Sequence, residues 1–200
     1  MTYPDGMALL EARRLYFDAN GFGEDGGYSK RWFKVGWKWL ALPLPNTASR
    51  VRAVRVHDLH HIATGYPTTW RGEAEIGAWE LAGGCGDYGP AWLLNRYSFA
   101  VGLVIAPRRL WRAFLSGRHC KNLYVGDVSE DLLQESVGHL RYRLGLSDDV
   151  PGPGFADVRA FGATALASAF QAFVTAVPLL AAAVALVLGF RALNLWPSHP

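Results

Sequence analysis

ASRVRAVRVHDLHHIATGYPTTWRGEAEIGAWEL, residues Ala48–Leu81, is the stretch on which the fold turns. As far as Ala63 it holds neither glycine nor proline, and its polar groups recur at helical spacing. Val51, Val54 and Leu59 supply apolar contacts while Arg50, Arg52 and Arg55 lie outward. That pattern predicts a helix, although the Val/Arg alternation ahead of His57 suits a strand equally well. Thr64-Gly65-Tyr66-Pro67 reads as a turn, and Thr68 or Thr69 supplies the cap for a second helix over Gly72–Leu81.

Working outward, the elements on both sides are also mostly helical in pattern. Met7–Phe17 predicts a short helix or arm, and the glycines and acids of Asn20–Gly27 a loop. Tyr28–Leu42 interleaves Trp32, Phe33, Trp37, Trp39 and Leu40 with Lys30, Arg31, Lys34 and Lys38. It reads as a helix that either buries its aromatic face or sits with its tryptophans at lipid head-group level, and Pro43, Pro45 and Asn46 end it. Gly83, Gly84, Gly86 and Gly89 mark a loop, which lacks the G-K-[ST] ending of a phosphate loop. Ala91–Ala106 predicts a core helix. After Pro107 comes a basic amphipathic run (Arg108, Arg109, Arg112, Arg118, Lys121), and Val128–Leu146 predicts a further amphipathic helix.

The end of the chain changes character. Phe161–Phe190 holds thirty residues without a charge, between Arg159 and Arg191. A helix of that length reaches roughly 45 Å, against about 30 Å of hydrocarbon in a bilayer. We expect an all-α protein: a helical domain over 1–146, a Pro/Gly linker over 147–160, a membrane segment over 161–190, as one span or a hairpin, and a short tail over 191–200. The basic residues upstream place the main domain on the cytoplasmic side of the membrane. The polar Met1–Met7 start carries no secretory signal pattern.

Composition agrees with a mixed protein. Half of the 200 residues are apolar, and the net charge is only +3. That charge does not argue for nucleic acid, whereas a mild basic excess on an apolar chain suits anionic lipid head groups. Cys85 and Cys120 build no disulfide framework or thiol-rich zinc site, and fit a reducing compartment.

The chemistry concentrates in His57-Asp58-Leu59-His60-His61, four candidate ligands in five positions. On a helix, His57 and His61 are one turn apart and point the same way, with Asp58 close to that face. Glu73 opens the next helix, and a helix-turn-helix returns its carboxylate to the two imidazoles. Two nitrogen and two oxygen donors suit zinc or iron better than calcium. Glu75, two residues on, faces away. His60 is a candidate proton shuttle, or else a support for the liganding residues. Spacing alone leaves a metal-free hydrogen-bonded cluster equally open.

The pattern His57-Asp58-x-x-His61, eleven residues, then Glu73 resembles the signature of the coenzyme Q biosynthesis protein 4 family. H-D-L-H-H-I-A-T-G-Y followed by R-G-E-A-E looks like that family's metal-binding stretch, and a looser similarity covers roughly residues 37–146. The resemblance implies an all-helical fold, a divalent metal, usually zinc, held by His57, Asp58, His61 and Glu73, and a lipid-binding groove. It also implies a role at C1 of the polyprenylated benzoquinone precursor of ubiquinone, where a carboxylate is lost and a hydroxyl gained, and a role in organising other ubiquinone enzymes at the membrane. Two features depart from the pattern: His60 is an additional histidine, and the apolar tail lies outside the family domain.

Two functions from different classes follow. One is a metal-dependent oxidative decarboxylase, with zinc or Fe2+ holding the carboxylate and phenolic oxygens of a prenylated aromatic acid or another prenyl lipid. The other is a non-catalytic scaffold in which the metal clamps two helices and a groove presents quinone intermediates to partner enzymes. A closed ligand shell favours the scaffold and an open position favours catalysis. A histidine-box desaturase fits poorly, because His119, His139 and His199 stand isolated.

Overall fold

The architecture comes from a computed structural model that describes residues 2–37, 40–125, 130–147 and 149–192. In chain order the elements are α1 (Leu9–Asn20), a hairpin of β1 (Trp32–Trp37) and β2 (Leu40–Pro45), α2 (Ala48–Thr64), α3 (Trp70–Gly83), α4 (Gly89–Ile105) and α5 (Pro107–His119). Two short 3-10 turns, Leu123–Val125 and Glu130–Gln134, then precede α6 (Val137–Leu144) and α7 (Phe155–Ala192). The protein is helical, as expected, with one small hairpin.

The helix-turn-helix at its centre is built from local signals. The Thr47 hydroxyl accepts from the Arg50 amide to start α2, and Gly65, at φ 74°, ends it in the left-handed conformation. The Thr69 hydroxyl accepts from the Gly72 amide to start α3. Of the two threonines at that turn, Thr69 is therefore the cap, while the Thr68 hydroxyl bonds to Asn20. α3 is buried almost all round, from Ala74 through Leu81, which marks it as the central helix.

α4 and α5 pack closely against α3 because glycines lie at the crossings. A Cβ on Gly77 would fall 2.2 Å from the Ser98 hydroxyl, and one on Gly117 would fall 2.2 Å from the Trp79 carbonyl oxygen. Trp79, Phe99, Phe114, Leu59 and Ile62 are among the large side chains sealed in this core.

Two expected helices take other forms. Tyr28–Leu42 contains β1, the start of β2 and the join between them, with Trp32 opposite Pro45 and Trp37 opposite Leu40 in an antiparallel register. Lys38 and Trp39 lie outside the described residues. Phe33, Val35 and Trp37 alternate with Lys34 and Gly36, a period of two, and Gly36 disfavours helix. Pro43 and Pro45, expected to end the element, belong to β2; among the described residues the sheet has two strands, so neither proline interrupts a ladder on both sides.

The helix expected over Val128–Leu146 is broken before α6. The Ser136 hydroxyl caps α6 through the His139 amide, while the Val137 amide donates to Met7 and the Glu135 carbonyl accepts from Leu9. Capping and pairing with the chain N-terminus win over helix continuity. Val128 and Ser129 lie outside the described residues.

α7 is one continuous helix and not a hairpin; it begins at Phe155, within the stretch expected as linker. Its first turns run antiparallel to α4. Phe161 packs on Phe99, Trp111 and Phe114, with ring centroids 5.0–5.3 Å away, and the Gln171 amide donates to the Leu93 carbonyl at 3.0 Å. Over Phe155–Pro178 it is long and apolar enough to cross a membrane, and only 6% of its most apolar window is buried.

Candidate metal centre

α2 projects His57 and His61 from consecutive turns, and the turn at Gly65 brings the first turn of α3 back across them. The Nε2 atoms of His57 and His61 lie 3.1 Å apart. Glu73 reaches both, with Oε2 3.4 Å from His57 Nε2 and Oε1 3.4 Å from His61 Nε2. One ligand atom from each residue falls within 4.8 Å of the other two. The convergence of Glu73 with two imidazoles is thus realised in the fold.

The outer ring nitrogens decide how the inner ones can act. His61 Nδ1–H donates to the Tyr66 carbonyl at 2.7 Å, which gives the T-G-Y turn a direct part in the site. His57 Nδ1–H donates to Glu80 Oε1 at 2.9 Å. With Nδ1 engaged on the far side, each imidazole has its Nε2 turned toward the other, and in the neutral tautomer these two nitrogens are free to share a cation. Tetrahedral bonds of about 2.0–2.1 Å place two nitrogens about 3.3 Å apart, close to the spacing here. The donor set of two imidazoles and a carboxylate fits zinc or iron.

Asp58 is placed differently. It is 3% exposed, its Oδ2 accepts from the Tyr28 hydroxyl at 2.5 Å, and it is not one of the three converging residues. Burial pushes its carboxyl up, against the opposing pull of the Tyr28 hydrogen bond and the two imidazoles. Glu75 does face away, held by Arg109 through two bonds of 2.7–2.8 Å.

His60 is fully buried, between the rings of Trp79 and Tyr124. Its Nδ1–H donates to Glu80 Oε1 at 2.7 Å and its Nε2 accepts from the Leu123 amide at 2.9 Å. With both nitrogens committed, His60 supports the site and does not carry protons through it. Burial pushes its pKa down, which keeps this tautomer neutral.

Glu80 is the residue that sequence reasoning missed. Its two oxygens accept from His57, His60, the Asn95 amide at 2.6 Å and the Tyr124 hydroxyl at 3.2 Å. Burial alone would raise its pKa, but the His57 and His60 contacts outweigh burial and hold it well below the carboxylate range. The available signal was spacing: Glu80 lies two turns after Glu73 and so shares its face of α3.

A cavity of about 970 Å³ adjoins the centre, near the upper end for small-molecule sites. His57, Asp58 and Glu73 line one wall. Elsewhere Trp32, Phe33, Trp70 and Leu94 give apolar surface, and Lys30, Lys34 and Arg50 give positive charge. Arg50 is seated over the Phe33 ring, 3.5 Å from its centroid, and donates to the Asn46 side chain. Comparison with family models, with characterised proteins and with solved structures finds no match for this chain.

Proposed function

We propose that this chain is a membrane-associated, metal-dependent ubiquinone-biosynthesis protein of the coenzyme Q biosynthesis protein 4 type, acting at C1 of a polyprenylated benzoate-type precursor. The observation that carries the proposal is the His57–His61–Glu73 cluster opening onto an apolar cavity with cationic side chains. Three protein donors beside a cavity leave room for substrate, the arrangement typical of catalytic rather than structural ions. This favours oxidative decarboxylation over the scaffold role.

His57, His61 and Glu73 would hold the ion, zinc or Fe2+. When bound, it supplies Lewis acidity toward the substrate's carboxylate and phenolic oxygens. The chain's own part is positional. Glu80 and the Tyr66 carbonyl fix the two imidazoles, Lys30, Lys34 and Arg50 attract an anionic head, and the apolar wall accommodates prenyl carbon. In the net change the ring carbon loses its bond to the carboxyl carbon, which leaves as carbon dioxide. It gains a hydroxyl, with dioxygen as the two-electron oxidant and one water consumed, so that acid, dioxygen and water give the phenol, carbon dioxide and hydrogen peroxide. The open, apolar α7 supports a membrane location, and the basic residues upstream of it favour the cytoplasmic side for the domain.

The test is complementation of a strain that lacks C1 decarboxylation, with the accumulating quinone intermediates identified. The wild-type chain restores quinone and Glu73→Ala does not. Full metal content with no change in any prenyl-phenol pool would refute catalysis.

A further inference from the structure

We infer that the cavity opens at the bilayer surface and takes its substrate laterally from anionic lipid, because α7 leaves the domain beside the cavity's α4 wall. The inference rests on the proposed prenyl-lipid substrate and adds the route by which that substrate arrives.

The boundary between domain and membrane can be placed along α7. Its start belongs to the domain: Asp157 pairs with Arg118 at 3.1 Å, Arg159 follows, and Ser168 is fully buried. Gln171 makes its bond to Leu93 of α4. From Ala172 to Phe190 the sequence carries no charge, and Thr175 turns its hydroxyl back to the Gln171 and Ala172 carbonyls. Such self-satisfied hydroxyls suit hydrocarbon. Gln171–Phe190 spans about 30 Å as helix, matching a bilayer core. The lipid surface therefore lies level with Leu93.

Leu93 sits within the stretch of α4 that walls the cavity, which runs from Pro90 and Ala91 through Leu94 and Asn95 to Ser98. The opposite end of α4, with Val104 82% exposed, lies toward the start of α7 and away from the surface. Around the cavity, Trp32 and Trp70 are 52% and 46% exposed, and Lys30 and Lys34 are exposed beside them. Exposed tryptophan with lysine is head-group chemistry, and the lysines select anionic lipid.

The test uses the full chain in a Cys120→Ser background, reconstituted in phosphatidylcholine vesicles containing phosphatidylglycerol. A polarity-sensitive fluorophore is attached through Lys34→Cys, Trp70→Cys or Val104→Cys, and quenching by nitroxide-labelled lipid is measured. Labels at 34 and 70 should be quenched several-fold more than the label at 104. Equal or stronger quenching at 104, or failure of the chain to float with vesicles, overturns the inference. Restored quinone by the unlabelled wild-type chain, with the 34 and 70 labels staying in water, removes the lateral route and keeps the proposed function. Lipid quenching at 34 and 70 without restored quinone does the reverse.

Discussion

His57 Nε2 and His61 Nε2 face each other at 3.1 Å, while the Nδ1 of each ring is bound to an acceptor on its far side. Two lone pairs so opposed repel unless something positive lies between them or one takes a proton back. In the metal-free protein the proton returns. Burial disfavours charge on His57, but Glu80 and then Glu73 outweigh it and raise its pKa well above 6.5.

A cation must displace that proton, so affinity should rise with pH. The sign follows from the raised pKa: below it the ion competes with a bound proton, and above it the competition ends. We expect affinity to increase through pH 6.5 and beyond, by up to about tenfold per unit, with roughly one proton released per ion at neutral pH. Calorimetric titration in buffers of differing ionisation enthalpy measures this directly. A flat profile between pH 6 and 8 contradicts it.

Glu80→Gln should weaken metal binding without touching a ligand. Glu80 accepts four hydrogen bonds, and an amide can accept at only one of its two ends. Either the two histidines or Asn95 and Tyr124 must then face another donor. We expect a loss of about 10- to 100-fold in metal affinity, together with about 1–3 kcal/mol of stability. Competition with a metal-binding dye and urea denaturation read the two effects separately.

Gly72→Ala should disturb the turn that delivers Glu73. A Cβ there would lie 1.8 Å from the Pro67 carbonyl oxygen, so backbone has to move. The expected cost is about 1–3 kcal/mol in chemical denaturation, with lowered metal affinity as Glu73 shifts. Gly152→Ala, with nothing within 4 Å of its added carbon, should leave both unchanged.

The two thiols should differ sharply. Burial, followed by the charge of Glu80, pushes Cys85 up to about 12, whereas Cys120 is only partly buried. A maleimide should label Cys120 in the native protein and Cys85 only after unfolding. Rapid labelling of Cys85 in the native state would mean that the wall around Glu80 opens.

The helix-turn-helix and the approach of Glu73 to the imidazoles were legible because both follow from i to i+4 spacing and a short turn. Glu80 was legible in principle by the same arithmetic, but nothing in sequence separates a buried acceptor from a solvated acid. Asp58 lies beside the ligands in sequence, yet its partner is Tyr28, thirty residues upstream, a contact that no local period announces. The hairpin was obscured because lysines and aromatics satisfy periods of two and of 3.6 nearly alike over six residues. α6 was overestimated because its N-terminal limit comes from pairing with Met7 and Leu9, far away in the chain.

The three donors are held with unequal firmness. The His61 ring is 1% and the His57 ring 20% exposed, and both are clamped from behind, whereas the Glu73 side chain is 36% exposed and opens onto the cavity. A cation held by the three would therefore find in Glu73 its least confined ligand, the one through which exchange with solvent would begin. Anything that filled the cavity beside that carboxylate would slow the loss of the ion.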